Sequence, residues 1–293
     1  MLIHSNLRRR MTRPAAVALV LSALSSSALP LAVSAAEEPS WRTEFGPAYS
    51  RFDYREFDEA GRRLDSETGH LPGITAAIAH SWDAWEARLA GDWYGEAIDY
   101  DGFAFNPTTG LQRPLATTTR ETITSVEGTL LRWLEGTDRG IAVYGGIGLR
   151  VWQRDIHANA AASSTSALET YRFGYAILGL RAKIYRAAQF EWAIDGRLTR
   201  TLSPSLAIDF SGAFDSAQLQ PAPKTAWRVA LPLDVQLKPK DTLRFEPYYT
   251  TWSLGRSQIE SLTRHRVQLG FGIFEPRSET TSSGLSISWL HAF

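Results

Sequence analysis

Residues 227–249 read WRVALPLDVQLKPKDTLRFEPYY, and this segment decides the fold because its side chains alternate in polarity. Every odd-numbered residue from Trp227 to Leu237 is apolar, while the even-numbered positions include Arg228, Asp234 and Lys238. After the turn sequence KPKD at 238–241, the alternation resumes with Leu243 and Phe245. A repeat of two residues is that of a β-strand. The segment therefore predicts two long strands joined by a tight turn.

The same alternation recurs along the chain, and its polar face carries charges of both signs. In 85–97 the apolar face opposes Glu86, Arg88 and Asp92, and 190–199 repeats the arrangement. A packed interior would not accept these charges. A membrane barrel reverses the arrangement, with apolar side chains toward lipid and polar ones toward the lumen. Because every backbone polar group must be paired in hydrocarbon, the sheet has to close. We therefore predict an all-β fold, a closed antiparallel transmembrane β-barrel.

The overall composition narrows the function classes. The chain has 293 residues, 31 Lys and Arg against 31 Asp and Glu, and no cysteine. Without cysteine there is no disulfide, thiolate metal site or lipid-modified anchor. A formal net charge of zero gives no general basic face for nucleic acid, so no nucleic-acid partner is expected. Helical metal motifs and dinucleotide-binding loops are missing as well, and we predict no cofactor and no metal.

The first 36 residues are predicted to be a signal peptide, and residues 37–293 a single barrel domain. Four arginines between Arg8 and Arg13 precede a short apolar run at 15–24, and small residues at 33–36 supply a cleavage site. The apolar run is shorter than the roughly 20 residues of a spanning helix. The mature chain is then exported. It is mildly acidic, because removal of this segment takes away four arginines and no acidic residue.

The pattern predicts ten strands, joined by short periplasmic turns and long extracellular loops in strict alternation. A twelve-strand barrel is the alternative, which adds Leu206–Phe210 and Arg264–Phe274 as strands. With ten strands, 264–274 extends a strand beyond the membrane or folds over the mouth. The predicted strands are 41–54, 71–82, 84–99, 117–134, 140–154, 169–186, 189–202, 225–239, 241–255 and 281–293.

The last residues, GLSISWLHAF at 284–293, alternate up to a terminal aromatic residue. Leu285, Ile287, Trp289 and Phe293 share one face, and this arrangement resembles the closing strand of Gram-negative outer-membrane β-barrels. Across residues 37–293 the layout resembles small proteobacterial outer-membrane barrel proteins, with local similarity at YDG (100–102), FEPYYTTW (245–252) and EP (275–276). The resemblance implies location in the outer membrane, contact with its lipid and lipopolysaccharide, and recognition of the closing strand by the barrel assembly machinery. It implies no catalytic residue.

Alternation also predicts a network of paired charges inside the barrel. Ten strands lie close to the eight-stranded case, in which side chains fill the interior. We therefore expect a narrow or occluded lumen. The predicted network comprises Glu86, Arg88, Asp92, Glu96, Glu127, Arg150, Arg181, Glu191, Asp195, Arg197, Arg228, Asp234, Arg244 and Glu246.

These features predict a barrel that is not an enzyme and has a structural, surface-interaction or narrow-transport role. Aromatic residues predicted inside its outer half form either a small-ligand pocket or a plug. One alternative function is a selective small-solute channel. Another is a hydrolase at the rim, in which His70, His157 or His265 pairs with a nearby acid such as Asp65, Glu67 or Asp155. Loop 256–280 is a candidate lid, adhesive surface or lipid contact.

Overall fold

The structure is a computed structural model that describes residues 40–105, 112–134, 140–160, 162 and 164–293. The predicted signal peptide and the predicted turn at 135–139 lie outside the described residues. Among the described residues, no helix is long and apolar enough to cross a membrane. The strands are β1 (Ser40–Phe57), β2 (Arg63–Trp82), β3 (Trp85–Phe105), β4 (Gln112–Trp133), β5 (Ile141–Ile156), β6 (Ala167–Arg186), β7 (Phe190–Asp209), β8 (Ala217–Leu219), β9 (Thr225–Ala230), β10 (Leu233–Lys238), β11 (Asp241–Leu254), β12 (Glu260–Arg264), β13 (Val267–Ile273) and β14 (Arg277–Ala292).

Ten antiparallel strands close into a barrel, as the sequence predicts. The strands β1 to β7 pair with their neighbours in chain order, and β9 and β10 together form the eighth strand between β7 and β11. The strand β11 pairs with β14, and β14 pairs with β1 to complete the ring. The twelve-strand alternative is wrong because Leu206 and Ile208 lie in the outer end of β7, and 264–274 forms part of a separate hairpin.

The eighth barrel strand is interrupted at Leu231 and Pro232. Proline has no backbone N–H to give to a neighbouring strand. Across this gap, the Pro232 carbonyl accepts from the Ala193 N–H at 3.0 Å, and the Leu231 N–H donates to the Pro247 carbonyl at 3.0 Å. The interruption therefore divides one predicted strand into β9 and β10 without opening the wall.

A belt of exposed apolar side chains surrounds the lower part of the barrel. On β1 it runs from Trp41 to Tyr49, which is close to the roughly 9–11 residues that a tilted strand needs to cross a bilayer. Beyond Tyr49 the outward positions become Arg51 and Arg55. The belt also includes the outward face of the closing strand, with Leu285, Trp289 and Phe293 exposed and Ile287 half-buried. We define the membrane-spanning segments as the part of each strand within this belt.

The strands continue well past the belt on the outer side, so the barrel has a tall mouth. The extracellular loop predicted at 55–70 is mostly strand, and the connection between β1 and β2 is only 58–62. The regular pairing of Tyr54 with Glu67 and of Glu56 with Asp65 extends the sheet there. Residues assigned to a loop by sequence therefore have alternating inward and outward side chains.

The segment after β11 folds over this mouth as the hairpin β12–β13. Its two tip residues, His265 and Arg266, have positive φ angles of 52° and 64°. The Asp215 carboxylate accepts both of their N–H groups, at 3.1 and 2.8 Å, and the Thr263 hydroxyl at 2.7 Å. At the base of the hairpin, Ser257 and Glu275 exchange hydrogen bonds of 2.9 Å. Of the predicted loop 256–280, residues 256–276 thus form a structured cover, and residues 277–280 belong to β14 in the barrel wall.

Candidate functional site

The lower lumen contains ion pairs between arginines and carboxylates that face each other across neighbouring strands or across the barrel. Their side chains are largely buried, so each charge is balanced locally rather than by bulk water. The pairs, with their nitrogen–oxygen distances, are Arg42–Glu86 (3.2 Å), Arg88–Glu44 (3.1 Å), Arg181–Asp195 (2.9 Å), Lys183–Glu191 (3.1 Å), Arg197–Glu127 (2.5 Å), Arg228–Glu246 (2.5 Å) and Arg244–Asp234 (2.6 Å).

Three residues of the predicted network behave differently. Arg150 stacks on Trp252, with its guanidinium carbon 4.7 Å from the ring centroid, and donates to the Ser125 hydroxyl at 3.0 Å. Asp92 lies in the wall of a lumen cavity of about 110 Å³. Glu96 is exposed, and its carboxylate accepts the Ala97 N–H at 2.9 Å instead of meeting a lumen base. Glu96 stays paired with the buried Glu121 in the β3–β4 ladder, so the strand keeps its register and only the Glu96 side chain departs from the predicted network.

Inward tyrosines lie over glycines on neighbouring strands. A Cβ on Gly148 would lie 2.3 Å from the ring of Tyr175, and one on Gly179 would lie 2.1 Å from the ring of Tyr144. Only glycine leaves this space. The hydroxyls then reach carboxylates, since Tyr175 donates to Glu127 at 2.8 Å and Tyr144 donates to Asp195 at 2.6 Å. The glycines thus allow the aromatic rings to line the lumen.

Above these ion pairs, a layer of aromatic side chains from β1, β5, β6 and β11 packs together inside the barrel. Phe52 of β1, Trp152 of β5 and Trp252 of β11 meet with ring centroids 6.0–6.4 Å apart. Tyr171 of β6 stacks on Trp152 at 4.6 Å. Phe52 and Tyr171 are fully buried, and Trp152 is only 1% exposed. Of the two predicted roles for the inward aromatic residues, this packing corresponds to the plug.

Above the aromatic layer, a single arginine lies among carboxylates from β1, β2, β4 and β6. The Arg154 guanidinium donates to Glu67 at 2.9 Å, to Glu56 at 3.1 Å and to Glu169 at 2.7 Å. It also stacks on Tyr54, 4.3 Å from the ring centroid. Its side chain is 1% exposed. We call this group the Arg154 cluster; its acids are Glu56, Asp65, Glu67, Glu121, Glu169 and Glu275.

The Arg154 cluster holds more acid than its arginine can balance. Asp65 is 3.8 Å from the guanidinium through Oδ2, and its buried Oδ1 has no hydrogen-bond partner. Glu275 accepts the Tyr171 hydroxyl at 2.8 Å. Both groups lie outside the apolar belt. Burial and the negative charge of Glu56 raise the pKa of the Asp65 and Glu275 carboxyls well above the ordinary value.

This cluster was not predicted from the sequence. Alternation in the predicted strand 140–154 places Arg154 on the inward face, whereas Glu56, Asp65 and Glu67 lie in one predicted loop and Glu275 lies in another. The signal was present, because continuing the alternation of β1 past residue 54 places Glu56 on the inward face. The predicted strand 41–54 ends where charged sequence begins, whereas β1 continues to Phe57.

The histidines of the rim lie apart from these acids. The His70 ring stacks outward on Tyr49, with centroids 5.4 Å apart, and His157 Nδ1 is 2.9 Å from the Thr118 hydroxyl. His265 is at the tip of the hairpin, whereas Asp65 and Glu67 point inward to Arg154. Within the described parts of the chain, no three His, Asp or Glu side chains form a group suited to a metal ion.

A cavity of about 350 Å³ separates the Arg154 cluster from the hairpin. Its floor includes four cluster carboxylates, Glu56, Asp65, Glu169 and Glu275. Its walls are mainly apolar, from the outer ends of β5 and β7, the loop around Phe214 and the hairpin. We call it the mouth cavity. Its size is within the range of roughly 300–1,000 Å³ found for small-molecule pockets.

Comparison with solved structures identifies the same architecture. The chain is similar to the outer membrane protease OmpT from Escherichia coli, with 13% identity over 88% of this chain and 97% of the other, and a TM-score of 0.58. It also matches OprG from Pseudomonas aeruginosa, with 11% identity over 88% and 97% and a TM-score of 0.39. Neisserial surface protein A matches with 9% identity over 88% and 100% and a TM-score of 0.36.

No protein-family model matches the chain. No curated protein matches it either. At 13% identity, the likeness to OmpT establishes the fold, a closed antiparallel barrel of ten strands with no helix among the described residues.

Proposed function

We propose that this protein is an exported barrel of the Gram-negative outer membrane that is closed to solute flow and acts at the cell surface through its mouth. The apolar belt supports insertion in the outer membrane, with lipid and lipopolysaccharide around it. The exposed face of the closing strand supports recognition by the barrel assembly machinery during insertion. The signal peptide at 1–36 would direct the export.

The aromatic layer is the observation that carries the closed state. Phe52, Trp152 and Trp252 come from three separate parts of the wall and are packed ring to ring, leaving no gap between them for a hydrated solute. The ion pairs below fill the lumen further. Rotating these side chains aside would break close packing on several strands at once.

Conductance in a planar bilayer tests this proposal. We expect the unmodified protein to give no discrete conductance steps, and the variant F52A/W252A to give steps because two rings of the layer are removed. The matched control is Trp93→Ala, which removes an indole from the exposed outer belt and should remain silent. Folding of each variant is checked by its resistance to unfolding in cold detergent during electrophoresis.

Discrete steps from the unmodified protein would refute closure and favour the selective channel. Silence of a folded F52A/W252A barrel would show that the aromatic layer is not the sole barrier and that other layers of the lumen also close it. The rim hydrolase has no comparable support, because the three rim histidines contact neither Asp65 nor Glu67.

A further inference from the structure

The mouth cavity combines an acidic floor with apolar walls, and this combination selects a particular class of ligand. An anion would be repelled by the floor, and a strongly hydrated metal ion would gain nothing from the walls. An uncharged apolar molecule would leave the carboxylates desolvated without a partner. A positively charged group on an apolar body satisfies both surfaces.

We propose that the mouth cavity binds a small organic cation, an ammonium or guanidinium group carried on an apolar body, with Asp65 and Glu275 as the carboxylates that receive the charge.

Charge balance supports this assignment. Six carboxyl groups surround Arg154, and its guanidinium already makes short contacts with Glu56, Glu67 and Glu169. Among the described residues, the ion pairs leave Glu275 out and reach Asp65 and Glu121 only at 3.8 and 3.9 Å. Of these three acids, Asp65 and Glu275 line the mouth cavity. A second cation at the floor would offset the remaining negative charge.

The free oxygen of Asp65 is an independent observation. Asp65 is 8% exposed, its Oδ1 is buried without a hydrogen-bond partner, and the residue forms part of the cavity wall. Its other oxygen, Oδ2, accepts the Tyr100 hydroxyl at 3.4 Å. Buried carboxylate oxygens are normally paired, and a turn of the Asp65 side chain toward the cavity would give Oδ1 the donor that it lacks. An ammonium group offers three such donors and a guanidinium offers five.

The walls determine the body of the ligand. The side chains of Ile156, Phe210, Leu262 and Ile273 surround the space above the floor. Leu262 and Ile273 belong to the hairpin, so the cover of the mouth supplies part of the apolar surface. A single aromatic ring or a short alkyl chain next to the charged group fits a cavity of about 350 Å³.

Calorimetric titration of the full folded protein in detergent tests the proposal. The probes are phenethylamine, the neutral isostere phenethyl alcohol and the anion phenylacetate. We expect saturable binding of the amine, with the alcohol at least about tenfold weaker and the anion not bound. Either D65N or E275Q neutralises a charged hydrogen-bond acceptor, and each should weaken the binding of the amine by about tenfold to hundredfold. D99N is the control, since Asp99 is an exposed carboxylate outside the cavity. The affinity of this variant for the amine should not change.

A second measurement separates binding from a structural role. Neutralising Asp65 relieves repulsion among buried acids, so D65N should melt at a higher temperature without ligand while binding the amine more weakly. A purely structural Asp65 would give a lower melting temperature or leave affinity unchanged. Equal affinity for amine and alcohol, or no saturable binding of the amine, would overturn the proposal. Binding confined to an arginine-containing peptide would overturn it too, in favour of a peptide side chain. None of these outcomes depends on whether the lumen conducts.

Discussion

Removing the charge of Arg154 is the strongest test of how the mouth is held together. We expect Arg154→Met to lower the free energy of unfolding by about 3–5 kcal/mol at pH 8, the usual cost of leaving buried charges without their partner. The change keeps a side chain of comparable length and removes the donors to Glu56, Glu67 and Glu169. Such a loss would be a large part of the roughly 5–15 kcal/mol that stabilises a typical folded protein.

The structure explains this magnitude. At about 3 Å and an effective dielectric constant of about 20, one contact between unit charges is worth roughly 5 kcal/mol before desolvation is subtracted. Arg154 makes three such contacts with buried acids, at 2.7–3.1 Å. Its own desolvation offsets much of that attraction, and the net loss therefore falls within the expected range.

The loss of stability in Arg154→Met should depend on pH, and the raised pKa values of the buried acids determine the direction of that dependence. The pKa values of Asp65 and Glu275 are raised in the folded protein. Their contribution to the free energy of unfolding is therefore fully present below the unfolded-state pKa of about 4, and it is lost as the pH rises through their folded-state pKa. Without Arg154, ionisation of the other acids in the cluster also destabilises the folded protein. The Arg154→Met variant should therefore be less destabilised at pH 5 than at pH 8.

Urea unfolding in lipid vesicles, followed by tryptophan fluorescence at both pH values, measures this difference. Arg150→Met is the matched control, because Arg150 is on the same strand but contacts Ser125 and Trp252 instead of the acids. Adding Glu67→Gln to Arg154→Met should restore part of the lost stability. A loss below about 1 kcal/mol, or an equal loss at pH 5 and pH 8, would refute this account of the cluster.

Three further outcomes are expected. Asp215→Ala should release the hairpin tip and speed tryptic cleavage after Arg264 or Arg266, since the carboxylate accepts both tip N–H groups; unchanged cleavage would mean that other contacts hold the cover. Glu275→Gln should be more stable than the unmodified chain at pH 8 and equal to it near pH 4, because the raised pKa of this carboxyl makes its ionisation costly; urea unfolding at the two pH values decides. Phe293→Ala should reduce the amount of folded barrel in the outer membrane relative to Leu130→Ala, an exposed belt position on β4; equal amounts would show that the terminal ring is not read during assembly.

The alternation of the sequence is sufficient to predict the barrel, its ten strands and most of its inward charges. The outward side chains from Trp41 to Tyr49 and the inward partners Arg88 and Glu44 follow directly from a period of two residues. In the proposed membrane setting the apolar partner of each outward residue would be lipid, so no long-range information is needed to place that residue.

The mouth could not be predicted in the same way, for two physical reasons. The predicted strands end where polar or glycine- and proline-rich sequence begins, yet the hydrogen-bonded ladder of β1 and β2 continues to Glu56 and Asp65. Contacts across the barrel, such as that of Arg154 with Glu67, are also hidden from the sequence. Alternation places both residues on the inward face, but it does not say that they touch. Strand order and stagger decide which inward groups meet, and a single sequence does not specify the stagger.

The wall of this barrel is completed by residues from opposite ends of the folded chain. Arg42 lies opposite Ala292, and the ladder between β1 and β14 continues to Phe57 and Arg277. Contacts so distant in sequence form slowly, and both edges stay open to other chains until they do. In the proposed export route the polypeptide would cross the periplasm in this vulnerable state, and its yield in the cell would then depend on factors that prevent aggregation. Substitutions along the β1–β14 ladder should therefore lower the amount of protein more than they alter the barrel that does assemble.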